Sequence, residues 1–210
     1  MHMTPDDYVS QLYPEDEELQ HVKEVIREQG MPEVSVAPAY GRLLTLLVQT
    51  SGAKEVLEIG ALGGYSGICL CRGLGEGGRL TSLELKEEYA SLAGSHLEKA
   101  GFRDKTEYRI GPAADSLEQL KFEGRRFDFF FIDADKENYP LYLDYAIELA
   151  NPGAIIAGDN CFLRGRTLDS DKNGPSVQAV RSFNETIAND ERLVSTLLPA
   201  YDGLILARVK

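Results

Sequence analysis

The fold follows from one stretch of the chain, Val56-Leu57-Glu58-Ile59-Gly60-Ala61-Leu62-Gly63-Gly64-Tyr65-Ser66. A short apolar strand that carries an acid runs into a glycine-rich turn, and a segment with helical character follows. In an open α/β sheet this order builds a pocket where backbone N–H groups and a helix N-terminus approach a small ligand closely. A second apolar stretch ends in Glu84, an acid placed to hydrogen-bond ribose hydroxyls. These features predict a site for a nucleoside-containing cofactor.

The surrounding sequence predicts a doubly wound, mostly parallel sheet with helices on both faces, because strand-length apolar runs alternate with helical patterns. Two final apolar runs flank Asp202-Gly203 and predict an antiparallel hairpin that completes a seven-stranded sheet. Prolines at both ends favour an extended segment over 31–38. The predicted strands cover 54–58, 79–84, 106–110, 127–133, 153–159, 193–198 and 204–209, and the predicted helices cover 15–28, 38–50, 86–100, 137–149 and 176–188.

Length and charge limit the classes of function. The 210 residues suit a single α/β domain, with a helical preface over 1–50 and a ligand-binding core over 51–210. The 22 basic and 34 acidic side chains give a net charge of −12, which disfavours non-specific binding to nucleic-acid phosphates or anionic lipid. We expect a cytoplasmic protein, because the N-terminus is polar and acidic and no apolar run approaches the roughly 20 residues that span a bilayer.

The cysteines and the helical histidine are predicted to be structural. Cys69, Cys71 and Cys161 are odd in number and lack the spacing of a zinc site, which favours reduced thiols in or near the core. His96 falls on the apolar stripe of the 86–100 helix, which favours a core histidine with a satisfied hydrogen bond.

Acidic side chains follow two of the predicted strands. The uninterrupted apolar run Phe129–Ile132 leads into Asp133-Ala134-Asp135-Lys136, and the next strand leads into Asp159-Asn160. Both ends lie at the carboxyl edge of a doubly wound sheet, where neighbouring strands are about 4.8 Å apart. Two carboxylates and an amide oxygen without histidine or cysteine favour Mg²⁺, Mn²⁺ or Ca²⁺ over zinc. The alternative is that these acids cap helices and that Lys136 is a solvated lysine rather than a base.

Together these motifs resemble the cation-dependent class I O-methyltransferases, the group that includes caffeoyl-CoA and catechol O-methyltransferases, in a bacterial-type form. The resemblance runs over nearly the whole length, and the paired strand ends carry more of it than the glycine turn alone. The residues that carry it are Leu57-Glu58-Ile59-Gly60, Gly64-Tyr65-Ser66, Gly111-Pro112-Ala113, Ile132-Asp133-Ala134-Asp135-Lys136-Glu137-Asn138-Tyr139, Gly158-Asp159-Asn160, Arg181-Ser182-Phe183-Asn184, Leu197-Leu198-Pro199 and Asp202-Gly203-Leu204.

The resemblance implies a Rossmann-like class I methyltransferase fold and S-adenosylmethionine (SAM) as cofactor. It also implies a divalent cation, with Mg²⁺ as the first candidate and Mn²⁺ or Ca²⁺ as alternatives. Lys136 and Asp133 are the implied catalytic residues, with Lys136 as general base. Asp133, Asp159 and Asn160 are the implied metal ligands, and Asp133, Lys136 and Arg164 the implied substrate contacts. The implied cofactor-binding residues are Val36, Glu58, Gly60, Ala61, Gly64, Tyr65, Ser66, Glu84, Ala113 and Asp133.

The implied reaction is methylation of one hydroxyl of a small catechol-like diol whose two oxygens bind the cation. Arg164 stands where plant members commonly carry an asparagine that contacts substrate, which argues against the plant substrate. The long connection over 161–175, together with the extended segment over 31–38, could form the rim that selects the substrate. The alternative is a surface insertion without a role. The resemblance also implies a homodimer, for which Tyr8 and Leu12 are candidate contacts.

Three other functions stay open at this point. Some bacterial relatives methylate a hydroxylated uridine in transfer RNA, although a net charge of −12 counts against a large RNA substrate. An NAD-dependent oxidoreductase could use a similar turn, but Gly60, Gly63 and Gly64 do not follow the G-x-G-x-x-G order. A non-catalytic binding domain could keep the fold, but Lys136 and the three implied metal ligands are all present.

Overall fold

A computed structural model describes residues 3–210, apart from the side chain of Asp6. Residues 1 and 2 of the predicted helical preface therefore lie outside the described residues. The sheet has seven strands in the order β3-β2-β1-β4-β5-β7-β6. Their bounds are β1 Glu55–Ile59, β2 Arg79–Glu84, β3 Thr106–Ile110, β4 Phe127–Ile132, β5 Ala150–Gly158, β6 Leu193–Leu198 and β7 Leu204–Val209.

The sheet topology confirms the predicted fold class. Strands β1 to β5 run parallel, whereas β7 runs antiparallel to both β5 and β6. The order reverses at β1, whose neighbours are β2 on one side and β4 on the other. The connections that leave β1 and β4 therefore diverge to opposite faces, and a crevice opens at their carboxyl ends.

Eight α-helices surround the sheet in the described part of the chain: α1 Pro5–Leu12, α2 Glu17–Glu28, α3 Pro38–Ser51, α4 Tyr65–Gly73, α5 Glu87–Lys99, α6 Ala113–Phe122, α7 Tyr139–Leu149 and α8 Pro175–Asn189. Side-chain caps start the first two, since Thr4 accepts from the Asp7 N–H and Asp16 from the Leu19 N–H. Gly52 ends α3 in the left-handed conformation (φ 67°), which glycine adopts without strain.

Several predicted boundaries differ from the observed ones by one to three residues, and two of the differences have a local cause. The helix predicted to start at Glu137 begins at Tyr139, because Lys136–Asn138 forms a 3₁₀ turn first. Strand β5 begins at Ala150 rather than Gly153, and its register against β4 shifts between Phe127 and Phe129.

The core has one apolar layer on each face of the sheet. Successive side chains of β4 alternate between the layers, as the pleat of a strand requires. Phe130 and Ile132 face the layer that α6, α7 and α8 complete. Phe129 and Phe131 face the layer that α2, α3 and α4 complete. Because β4 is buried on both faces, its residues 129–132 are apolar without interruption, and the next polar side chains appear where the strand ends.

Two features of the helices bear on the predicted homodimer and on membrane association. Tyr8 and Leu12 are exposed on α1, and the homodimer for which they are candidates stays a prediction. Among the described residues, no helix combines the length and the apolar character needed to cross a membrane.

Candidate functional site

A cavity of about 820 Å³ opens at the carboxyl ends of the parallel strands, in the crevice beside β1 and β4. This volume lies in the range of pockets that bind small molecules and cofactors. Most of the site residues expected from the sequence line it: Val36, Gly60, Ala61, Tyr65, Ser66, Glu84, Ala113, Asp133, Lys136, Asn160 and Arg164. The topology thus brings together residues from six separate segments of the chain.

Three expected site residues are not among those that line the cavity: Glu58, Gly64 and Asp159. Glu58 is fully buried and accepts hydrogen bonds from the hydroxyls of Ser66 (2.6 Å) and Ser82 (2.5 Å). Burial raises the pKa of Glu58 to about 7, although both hydrogen bonds favour the charged form. In this arrangement its carboxyl group ties the start of α4 to β2 from behind the cavity wall.

Gly64 has a packing role in the same wall. It caps α4 with a φ of 88°, and a Cβ placed there would lie 2.9 Å from Leu97 and 3.1 Å from Ala93. A side chain at this position would push α4 away from α5, so glycine allows the N-terminus of α4 to pack closely on α5.

The glycine turn passes very close to the end of β4. Gly60 has a φ of 101°, and a Cβ on it would lie 2.2 Å from the backbone oxygen of Asp133. The Gly60 N–H donates to the oxygen of Leu83 at 2.9 Å, which ties the turn to β2 as well. Only glycine allows this approach, because it tolerates positive φ and has no side chain to clash.

Glu84 holds the other side of the turn. One carboxylate oxygen accepts from the N–H groups of Ala61 (3.1 Å) and Leu62 (2.9 Å), and the other accepts from the N–H of Lys86 (3.1 Å). A carboxylate can accept about four hydrogen bonds, so Glu84 keeps capacity for a ligand hydroxyl in the cavity. Its position at the end of β2 fits the role expected from the sequence.

The ends of β4 and β5 place Asp133 and Asp159 side by side. The Asp133 N–H donates to the oxygen of Ile59 (2.9 Å), and the Asp159 N–H donates to the oxygen of Ile132 (3.1 Å). Asp159 is 3% exposed, and its side chain accepts from the N–H of Asn160 at 2.8 Å. Burial and the nearby charge of Asp133 raise the pKa of Asp159.

Lys136 points at this pair of acids. Its ammonium donates to a carboxylate oxygen of Asp133 at 2.9 Å and contacts the hydroxyl of Tyr139. Tyr139 is fully buried, and its hydroxyl is within hydrogen-bond distance of the backbone oxygens of Asp159 (2.9 Å) and Ile132 (3.2 Å). It therefore bridges the ends of β4 and β5 and positions the lysine. The sequence signal for Tyr139 was its place three residues after Lys136.

The donor set at these strand ends fits a hard divalent cation. Two carboxylates, one of them buried, stand close together with a single lysine nearby, and a dication would offset that charge. Asp133 and Asp159 together with the amide oxygen of Asn160 are all-oxygen ligands of the kind that Mg²⁺ takes beside water and substrate oxygens. Within residues 3–210, no group of three or more His, Cys, Asp or Glu side chains is placed to hold a metal ion.

The segment that follows β5 forms a further wall and has an unusual backbone. Asn160, Leu163 and Arg164 all have positive φ, between 49° and 58°. The Arg164 N–H donates to the carboxylate of Asp202 in the turn between β6 and β7 at 2.5 Å. Such left-handed residues persist where surrounding contacts fix them, and they cluster at functional sites.

Helix α8 fixes the rest of this segment through two side chains. The guanidinium of Arg181 donates to the backbone oxygens of Thr167 (2.9 Å), Arg166 (3.3 Å) and Asp169 (2.6 Å), and to the side chain of Asn173 (3.0 Å). The amide of Asn184 donates to the oxygen of Cys161 at 3.0 Å. The quoted motif 181–184 contained both residues, but nothing in it indicated that they hold a loop.

Several residues that line the cavity were not named individually as site residues. They come from the N-terminal segment, the turn before α7, α7 itself, the segment after β5 and the β6–β7 turn: Val34, Ser35, Asn138, Tyr142, Arg166 and Asp202. Three of them fall in the segments expected at the substrate rim, 31–38 and 161–175, and the Asp-Gly pair of the hairpin turn marks Asp202. Asn138 stands in a motif that carries the resemblance, whereas Tyr142 looks like an ordinary helix residue in sequence.

Sequence comparison relates the chain to one family of enzymes. A family model described as O-methyltransferase matches residues 9–210. A catechol O-methyltransferase from Niastella koreensis is 40% identical over 212 residues, covering 98% of this chain and 96% of that protein. Another catechol O-methyltransferase, from Mycobacterium tuberculosis, is 39% identical over 184 residues, covering 86% of this chain and 83% of that protein.

Solved structures give the same relationship. An O-methyltransferase from Bacillus cereus, in complex with S-adenosylhomocysteine (SAH), matches with a TM-score of 0.91 and 46% identity, covering 98% of this chain and 96% of that one. An O-methyltransferase of tomaymycin synthesis from Streptomyces achromogenes, in complex with SAM, matches with a TM-score of 0.90 and 38% identity, covering 98% and 95%.

Proposed function

This chain belongs to the O-methyltransferase family, and we propose that it transfers the methyl group of SAM to one hydroxyl of a small catechol-like diol, assisted by a divalent cation. One observation carries the proposal. The two acids at the ends of the neighbouring strands β4 and β5 are adjacent: Asp133 lines the cavity beside the glycine turn, and Asp159 is buried next to Asp133. The names of the two relatives described as catechol O-methyltransferases support the acceptor class.

The cofactor half of the cavity suits SAM. Gly60 and Ala61 offer a wall of backbone without bulk, and Glu84 offers carboxylate oxygens to ribose hydroxyls. Ala113 opens α6 at the cavity, where it can meet the adenine. Two related enzymes were solved with SAH or SAM bound, which supports the same cofactor here.

The acceptor half supplies the chemistry of proton removal and alignment. A cation held by Asp133, Asp159 and Asn160 would act as a Lewis acid that makes the acceptor hydroxyl more acidic. Lys136, as the neutral amine left after its ammonium has lost a proton to solvent, would accept the hydroxyl proton. The oxygen then attacks the methyl carbon in line, the carbon–sulfur bond breaks, and the sulfonium becomes a neutral thioether. Holding two reactants in line can contribute about 7–11 kcal/mol to catalysis, so alignment matters as much as activation.

The Asp133→Ala variant tests this proposal in an assay with SAM and 1,2-dihydroxybenzene. Treatment of the unaltered protein with a chelator should abolish methylation, and Mg²⁺ should restore it. Asp133→Ala should show no turnover with Mg²⁺, while its Kd for SAH by calorimetry should change less than about tenfold, or about 1.4 kcal/mol.

Asp144→Ala is the matched control, because Asp144 is an exposed acid of α7 outside the cavity. It should leave both activity and SAH binding unchanged. Normal methylation by Asp133→Ala in the presence of the chelator would disprove the cation-assisted scheme.

A further inference from the structure

We propose that the preferred acceptor carries a carboxylate on its ring, bound by the guanidinium groups of Arg164 and Arg166. This inference rests on the proposed function, because it names the substrate class of the same site. Both arginines line the cavity, and both belong to the segment after β5. The sequence marked Arg164 as a substrate contact without giving a chemical reason, and it did not single out Arg166.

These two arginines lack the acidic partners that the cavity lysine and many surface arginines have. Lys136 pairs with Asp133, whereas no guanidinium nitrogen of Arg164 or Arg166 lies within 4.0 Å of a carboxylate oxygen in the described residues. Elsewhere on the chain Arg72 and Arg109 each pair with two acids. Two unpaired cations at the cavity of a protein with a net charge of −12 favour an anionic ligand there.

The nearby acids are already engaged. Asp135 accepts from the hydroxyl of Tyr142 and from the side-chain amide of Asn138 (2.6 Å). Asp202 accepts from the backbone N–H of Arg164, not from its guanidinium. In the part of the chain that the structure describes, neither Asp135 nor Asp202 therefore accepts a hydrogen bond from these two guanidinium groups.

The backbone holds both arginines in place before any ligand binds. Arg164 has a φ of 56°, and its N–H is held by Asp202. The Nε of Arg166 donates to the oxygen of Leu163 at 3.0 Å, which leaves its two terminal nitrogens for another acceptor. Arg181 ties down the backbone of Arg166 itself. The two terminal nitrogens of Arg166 can bind a carboxylate in two-point fashion, and the anchored Nε lowers the entropic cost of doing so.

The size of the cavity favours a short carboxylate over a phosphate of a larger molecule. About 820 Å³ has to accommodate the cofactor and the acceptor together. A single ring with a carboxylate attached directly or through a short linker fits the space that remains. The net charge of −12 also opposes binding of an RNA chain.

The test compares 3,4-dihydroxybenzoate with its neutral amide, 3,4-dihydroxybenzamide, under Mg²⁺ and SAM. We expect kcat/KM for the carboxylate to exceed that for the amide by about tenfold or more in the unaltered protein, since a charge-assisted carboxylate–arginine pair is roughly twice as strong as a neutral hydrogen bond. The double variant Arg164→Met with Arg166→Met should bring this ratio to within about twofold of one, mainly through KM for the carboxylate.

Arg103→Met is the matched control. Arg103 is a surface cation outside the cavity, and its guanidinium pairs with Glu98. This control variant should keep the ratio of the unaltered protein, and SAH binding by the double variant should show that the double variant folds. The carboxylate proposal would be overturned if the ratio of kcat/KM for the carboxylate to that for the amide were one or below in the unaltered protein. It would also be overturned if the double variant left this ratio intact. In either case, methylation of the amide would still uphold the proposed function.

If neither diol is methylated, the proposed function fails and the carboxylate proposal fails with it. If transfer RNA is methylated instead and the double variant abolishes that activity, the two arginines bind RNA phosphate and the carboxylate proposal is overturned.

Discussion

Lys136 occupies the position at which the acceptor proton must leave. Its ammonium lies between the carboxylate of Asp133 and the hydroxyl of Tyr139, at the edge of the cavity. We expect Lys136→Met to lower kcat by about 10²- to 10⁴-fold, the usual range for loss of a general base. The Kd for SAH should change little, because no contact holds Lys136 to the glycine turn.

Lys172→Met serves as the control for this variant. Lys172 is exposed and lies outside the cavity, so its removal should leave kcat unchanged. Single-turnover kinetics would separate methyl transfer from product release. A Lys136→Met protein with unchanged single-turnover rate would show that the proton leaves by another route.

Glu58 makes stability depend on pH. Its pKa is raised from the ordinary value of 4.5 to about 7 by burial. Between these two values the native state keeps a proton that the unfolded chain releases, so the free energy of unfolding falls as pH rises. The contribution is fully present below pH 4.5 and is lost by about pH 7. Its size is on the order of 3 kcal/mol, since one pKa unit corresponds to about 1.4 kcal/mol.

The variant Glu58→Gln isolates this effect, because glutamine cannot ionise. Urea unfolding of both proteins at several pH values between 4.5 and 7.5 gives the difference in their free energies of unfolding. That difference should move in favour of the variant as pH rises. A difference that stays constant over this interval would mean that Glu58 titrates normally in the folded protein.

At the scale of elements, the turn between β1 and α4 depends on how closely it crosses the end of β4. Gly60→Ala would place a Cβ 2.2 Å from the oxygen of Asp133, in a backbone conformation with positive φ. Because the clash is with backbone, the turn itself has to move. We expect a loss of stability of about 1–3 kcal/mol and at least about a tenfold weaker Kd for SAH.

Gly75→Ala is the comparison, because a Cβ at Gly75 meets nothing within 4 Å and the residue lies in an open loop. Thermal unfolding and calorimetry with SAH should show it close to the unaltered protein. Equal SAH affinity in both alanine variants would show that the close approach at Gly60 is unimportant for the cofactor.

Helix α8 has a second role besides its place in the core. Arg181 donates four hydrogen bonds to the segment over 166–173, which carries Arg166 at the cavity. We expect Arg181→Met to raise amide hydrogen exchange in this segment and to lower kcat/KM for the diol about tenfold through KM, with the Kd for SAH unchanged.

Arg192→Met is the control, since the ion pair of Arg192 within the described residues is with Asp190, at the surface after α8. Amide hydrogen exchange over 166–173 and KM for the diol should both be unchanged in this variant. Unchanged exchange in Arg181→Met would show that the segment is held by its other contacts, such as that of Asn184 with Cys161.

Local patterns predicted elements well where the pattern is strong. Strands β2, β3, β6 and β7 have the predicted bounds, because each is a short run of β-branched and apolar residues between turn residues. Helices α1 and α6 were not predicted. The described residues of α1 contribute no buried side chain, and α6 buries only Ser116, Leu117 and Leu120, so neither shows a long apolar stripe.

For the whole molecule, the order of strands explains why so much of the site could be predicted. Acids and glycines at strand ends meet at one edge of a doubly wound sheet, so sequence position alone brings Gly60, Glu84 and Asp133 together. The direction of each side chain could not be predicted in the same way. Glu58 lies one residue before the end of β1, and the pleat turns it away from the cavity.

The remaining residues of the site depend on contacts between distant parts of the chain. Arg164 is fixed by Asp202, which is 38 positions away, and Arg166 by Arg181 on α8. No local pattern encodes such pairs, because each partner looks like an ordinary loop or helix residue in sequence. Only the folded hairpin of β6 and β7 brings Asp202 against the segment after β5.

The central claim is that the ends of β4 and β5 hold a divalent cation beside the methyl donor. The most direct measurement is anomalous diffraction from a crystal grown with SAH and Mn²⁺. We predict an anomalous peak about 2.0–2.6 Å from side-chain oxygens of Asp133, Asp159 and Asn160, with SAH along the glycine turn. A crystal with SAH in the cavity and no Mn²⁺ at these oxygens, or with Mn²⁺ bound only elsewhere, would contradict it.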